Sequence, residues 1–111
     1  MRFFRPQRMN SLIRDELSKL IMRELEFTGA LVTITDVEVN EEMEHAVVNV
    51  SVLPSEKSEG VLEILNNHKR DLQFKLHRKL NIRPMPEIAF KIDFGLKNAA
   101  TIEKALLDSE K

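Results

Sequence analysis

Three side chains spaced one helical turn apart, Arg70, Phe74 and Arg78, carry the most pointed chemistry in this 111-residue chain. At about 100° per residue they share one side of a helix. Arginines one and two turns apart can meet successive phosphates, and a phenylalanine between them can stack on a base. Lys69, Lys75 and Lys79 flank them, and from 68 to 83 there are six Lys or Arg against one acid, Asp71. The plainer alternative is a charged helix face that keeps the chain soluble, with Phe74 packed against the C-terminal tail or another subunit.

Other chemistry is sparse. His45, His68 and His77 have no carboxylate or second histidine at metal-ligand spacing and read as surface or boundary residues. Glu41, Glu42 and Glu44 bunch in a turn, where acids are ordinarily solvated. There is no cysteine, which excludes disulfides and thiolate zinc sites and fits a reducing compartment. No glycine-rich phosphate loop, nucleophile elbow or HExxH motif occurs. Neither catalysis, a metal nor a cofactor is expected. The opening MRFFRPQRMN lacks the apolar run of a signal peptide, and no stretch approaches the roughly 18 apolar residues of a membrane span.

The basic side chains need a long helix to carry them. Over 58–83, Val61, Leu62, Leu65, Leu72, Leu76 and Leu80 fall on one stripe, as a core-facing helix requires. The stripe lacks a member at 68 or 69, where His68 and Lys69 stand, so a bend is expected near 67–70. Ser55 or Ser58 suits its N-terminal cap, and Pro84 and Pro86 end its exit. Before it, a first helix from Pro6 to about Leu25 has Met9, Ile13, Leu17, Leu20, Ile21 and Leu25 on one side. Asn10 and Ser11 could cap a later start. Arg5, Arg8, Lys19 and Arg23 cluster on another side, and Gly29 suits the following turn.

Residues 31–40 read as a strand rich in valine, isoleucine and threonine. Val32 and Ile34 have one parity and Val37 and Val39 the other, which predicts a bulge near Thr35 and Asp36. Residues 45–53 alternate, with Ala46, Val48, Val50 and Val52 inward, and pair with the first strand as an antiparallel hairpin. Residues 87–93 form a third strand with Ile88, Phe90 and Ile92 on one face, and 101–107 form a short last helix. The expected fold is α+β: helix, strand, strand, long kinked helix, strand, with two helices on one face of a three-stranded sheet. One domain spans 1–96, and 97–111 form a C-terminal tail.

The net charge of −1 argues against a nucleic-acid binder only if the charge is evenly spread. It is not: residues 1–23 sum to +4, 36–63 to −7 and 68–83 to +5. Folding can gather the two basic segments on one face. With no Trp or Tyr in the chain, phosphate contacts and folded RNA shape are expected to outweigh base-by-base reading.

The sequence resembles the ribosome-binding factor A proteins in four stretches: RMNSLIRDELSKLIMREL, VTITDVEVNEEMEHAVVNVSVL, LHRKLNIR, and PEIAFKIDFG followed by Ile102 and Leu106. Together they span nearly the whole chain, and the first strand with its turn is the most specific. The resemblance implies a bacterial, cytoplasmic protein with one type II KH-like domain and no catalytic activity or cofactor. It implies binding to free 30S ribosomal subunits, a role in late maturation and 5′-end processing of 16S rRNA, and importance for growth in the cold. One departure stands out. Family members carry Ala-x-Gly at the helix kink, where this chain has His68-Lys69-Arg70. A bend here must rest on something other than glycine flexibility.

The phosphate contacts are expected from Arg5, Arg8, Lys19, Arg23, Lys69, Arg70, Lys75, Arg78, Lys79 and Arg83, with Phe74 among the RNA-binding residues. The resemblance implies the 30S subunit as partner, through 16S rRNA; no membrane or small-molecule substrate is expected, and the chain is expected to act as a monomer. The alternative is a protein–protein adaptor of the same fold that docks through its acidic hairpin.

Overall fold

The computed structural model describes residues 6–94. The first helix, α1, spans Pro6–Glu24 and starts at the proline, whose missing N–H costs nothing at that position. Asn10 does not cap a later start. It lies inside α1, and its Oδ1 accepts the Val39 N–H at 2.9 Å.

Strands β1 (Leu31–Val39) and β2 (His45–Leu53) pair antiparallel. The register slips between Ile34 and Asp36, leaving Thr35 as the extra residue of a bulge. The slip turns Val32, Ile34, Val37 and Val39 all toward the helices, opposite Val52, Val50, Val48 and Ala46. In the tight turn, Asn40 Oδ1 accepts the N–H groups of Glu44 and His45 at 2.8 and 2.9 Å. Strand β3 (Glu87–Ile92) pairs parallel with β2, giving the order β1-β2-β3 with β2 in the centre. Ile88, Phe90 and Ile92 continue the inward rows of Ala46, Val48 and Val50.

The long helix is two helices. A 3₁₀ turn at Ser55–Lys57 leads into α2 (Ser58–Asn67), and α3 (Lys69–Leu80) follows. Neither Ser55 nor Ser58 caps α2. Lys57 already has helical backbone angles (φ −86°, ψ −2°), so the turn itself starts the helix, and Ser58 is buried. The helix ends at Leu80 rather than 83. Asn81 adopts the left-handed conformation (φ 50°, ψ 49°) and bonds back to the His77 carbonyl, closing the last turn.

The break falls at His68, at φ −101° and ψ 2°. Its N–H is shared between the Ile64 and Leu65 carbonyls at 3.2 Å each, and its ring Nδ1 donates to Ile64 O at 2.9 Å. A carbonyl oxygen only accepts, so Nδ1 carries the proton. The imidazole thus gives the Ile64 carbonyl a second, shorter hydrogen bond at the helix end, beside the shared His68 N–H. Leu65 before the break and Leu72 and Leu76 after it are fully buried, so the kink keeps both half-stripes on the core. Burying each leucine contributes about 1.5–3 kcal/mol.

Helices α1, α2 and α3 cover one face of the mixed sheet, the type II KH-like arrangement expected. The core consists of the α1 stripe from Met9 to Ile21, the inward strand residues, and Val61, Leu65, Leu72, Leu76 and Ile82. The opposite sheet face carries Thr33, Thr35, Asn49 and Ser51 toward solvent, and also the exposed cross-strand pair Leu31 and Leu53. The tail at 97–111, with its expected helix at 101–107, lies outside the described residues, as does Arg5.

Candidate nucleic-acid interface

Helix α1 packs against α3, and the seam between them is a groove of about 410 Å³. Lys19, Arg23, Lys75, Arg78 and Lys79 line it, with only Glu16 and Glu24 for acids. These cations come from the two basic segments of the chain, some fifty residues apart, and folding brings them to one place. The cause is elementary. Both helices turn their apolar stripes to the sheet, so the flank of each stripe meets at the seam.

The cations are not equivalent. Lys75 is half-buried and its ammonium sits between two carboxylates, 2.9 Å from Glu24 and 3.1 Å from Asp71. The hydrogen bond from Lys75 holds the Glu24 carboxyl below its ordinary value, and the Glu24 carboxylate in turn raises Lys75. This side chain ties α1 to α3. Lys19 lies 3.5 Å from Glu16 and Arg23 lies 3.7 Å from Glu24, with both side chains about seventy per cent exposed. Such surface pairs contribute about 0–1 kcal/mol and yield readily to a phosphate. Arg78 and Lys79 have no carboxylate partner among the described residues.

Phe74 stands outside the groove and is 60 % exposed. The Arg78 guanidinium lies over it, 5.8 Å from the ring centroid. Arg78 therefore belongs to both the groove and the ring. Arg70 is exposed one turn before Phe74, and Lys69 is half-buried beside the kink. Arg8 and Arg83 are exposed but do not line the groove. The expected contacts thus divide into a groove cluster, a kink cluster of Lys69 and Arg70, and outlying residues.

Of two side chains that fasten strands to the helices, Gln73 was missed in the sequence and Asn10 was read there only as a cap. Gln73 of α3 donates to Pro86 O at 2.9 Å and accepts from Ile88 N at 2.8 Å, fastening the start of β3. Asn10 does the same for the end of β1. A lone amide on a helix flank gives no periodic signal, because its partner is the backbone of a distant strand.

Among the described residues, no group of three or more His, Asp or Glu is placed to hold a metal ion. His45, His68 and His77 are all exposed. No helix among the described residues is long and apolar enough to cross a membrane.

Comparison with known proteins agrees with this architecture. The ribosome-binding factor A of Coprothermobacter proteolyticus is 32 % identical over 112 residues, covering all of this chain and 82 % of that protein. The crystal structure of ribosome-binding factor A from Thermus thermophilus superposes with a TM-score of 0.69 at 20 % identity, covering 80 % of this chain and 97 % of that one. A homology model of the same Thermus protein, fitted into the cryo-electron microscopy map of a 30S complex, gives a TM-score of 0.65 at 24 % identity. It covers 74 % of this chain and 88 % of that one. These two likenesses carry the fold. The family model described as ribosome-binding factor A matches residues 5–106, nearly the whole chain, and the chain belongs to that family.

Proposed function

We propose that this chain is a non-catalytic, cytoplasmic ribosome assembly factor that binds free 30S subunits through 16S rRNA and assists late maturation and 5′-end processing of that RNA. The observation that carries the proposal is the convergence of cations from α1 and α3 on one groove in a member of this family. The Thermus relative fitted into a 30S complex supports the choice of partner. The roles in 5′-end processing and in the cold rest on the family resemblance.

Phosphates seat on the groove cations Lys19, Arg23, Arg78 and Lys79, and along α3 on Lys69 and Arg70, with Arg8 and Arg83 as outlying contacts; Arg5 is kept as a contact on its sequence alone. Lys75 contributes least, since its charge is already shared between Glu24 and Asp71. Each phosphate contact steepens the log–log salt dependence of binding by about 0.7–0.9.

The test is charge reversal at two free arginines. Arg70→Glu with Arg78→Glu is expected to abolish 30S binding while the circular dichroism spectrum and unfolding midpoint stay near wild type. Supplied as the only copy in cells, the same variant leaves 16S 5′ ends unprocessed in the cold. Unchanged 30S binding by the folded double variant refutes the assignment. A protein–protein adaptor is the other reading, favoured by the exposed Glu41, Glu42 and Glu44 on a turn that Asn40 holds in place. Binding to an isolated ribosomal protein, with none to protein-free rRNA, would establish it instead.

A further inference from the structure

We propose that Phe74 and Arg78 form a stacking platform for one unpaired base, with the neighbouring groove taking the phosphates that flank it. The preferred ligand is then single-stranded RNA rather than a duplex. This rests on the rRNA-binding reading and gives it a substrate class.

Position 74 is about 200° round the helix from Leu72. Leu72 is fully buried, so α3 displays Phe74 on its most outward side, and 60 % of the residue is open to water. A single exposed apolar side chain is ordinary on any surface. Three further observations set this one apart. The Arg78 guanidinium lies 5.8 Å from the ring centroid, within range of a cation–π contact that orders both groups. Arg70 stands one turn before the ring and Arg78 one turn after it, while the nearby carboxylate, Asp71, is held 3.1 Å from the Lys75 ammonium. Arg78 also lines the α1–α3 groove, so a base on the ring and a phosphate on Lys79 or Arg23 can belong to neighbouring nucleotides.

The chemistry selects the ligand. An aromatic ring and a guanidinium plane offer flat surfaces without hydrogen-bonding specificity, which suits stacking on any base. In an RNA duplex the bases are stacked on one another, and their faces are not available to a side chain. An outward ring therefore adds binding energy only when a nucleotide is splayed out, at a loop, bulge or strand end.

The experiment uses the full chain and a short oligouridylate RNA carrying one 2-aminopurine, free or annealed to its complement. Affinity is read by anisotropy and stacking by quenching of the 2-aminopurine. The single strand is expected to bind more tightly than the duplex, with quenching on binding. Phe74→Ala weakens single-strand binding about tenfold and removes the quenching, while Phe74→Trp retains both. Neither change alters the salt slope, because no phosphate contact is lost. Lys79→Glu weakens both forms and flattens that slope. Equal binding of the two forms, with Phe74→Ala without effect and Lys79→Glu still damaging, overturns the platform and leaves the rRNA reading standing. Binding to neither form overturns the platform, and 30S co-sedimentation of the same protein then decides the rRNA reading by itself. Loss of 30S binding by Phe74→Ala, with oligonucleotide binding intact, assigns the ring to a protein contact and also overturns the proposal.

Discussion

Lys75 and Arg78 lie on the same helix flank and line the same groove, yet they do different work. Their difference is not legible in the sequence, because counting charges does not distinguish a paired cation from a free one. Glu24, which engages Lys75, comes from another helix 51 positions away. The pairing has a definite pH signature. The carboxyl of Glu24 is held below its ordinary 4.5, so its contribution to stability is complete above 4.5 and is lost as pH falls through the lowered value. Lys75 is raised above 10.5, so its contribution is complete below 10.5 and is lost as pH rises through the raised value. Glu24→Gln is therefore expected to lower the urea midpoint slightly at neutral pH, with the gap from wild type narrowing as pH falls below 4.5. Urea unfolding across that range checks it, and a gap independent of pH would contradict the ion-pair account.

The elements themselves were largely legible. Alternating valines gave the limits of β1 and β2, and the parity change at Thr35 located the bulge, because a one-residue slip is the only way to bury both halves of that strand. The gap at His68 and Lys69 located the break between α2 and α3 for a similar reason: a large polar residue on a core stripe must leave the core. What holds the break was not legible, since the imidazole bonds to the carbonyl of Ile64, a backbone atom with no sequence signature. The serine cap failed because local propensity takes no account of the 3₁₀ turn that supplies the helix start. Gln73 illustrates the same limit and gives a test. Gln73→Leu keeps the volume but leaves the Ile88 N–H and Pro86 carbonyl without their partner in a partly buried site. The expected cost is about 1–3 kcal/mol, seen as a lower urea midpoint at unchanged slope. An unchanged midpoint would show that water replaces the amide there.

At the scale of the whole molecule, the net charge of −1 conceals an uneven distribution. The basic segments meet at the α1–α3 seam, while Glu41, Glu42 and Glu44 occupy the hairpin turn between β1 and β2. That two basic segments could share a face was legible, but the groove was not, because the seam depends on how α3 packs after the break. Strand order was equally hidden: the parallel pairing of β2 with β3 is decided by the α2–α3 crossover, not by any pattern within the strands. The proposed role of this surface is recognition of the small ribosomal subunit. The most direct measurement is co-sedimentation of the full chain with purified 30S, 50S and 70S particles at low and moderate salt. Selective association with 30S that weakens as salt rises is expected. No association by the folded protein, or equal association with all three particles, would contradict it.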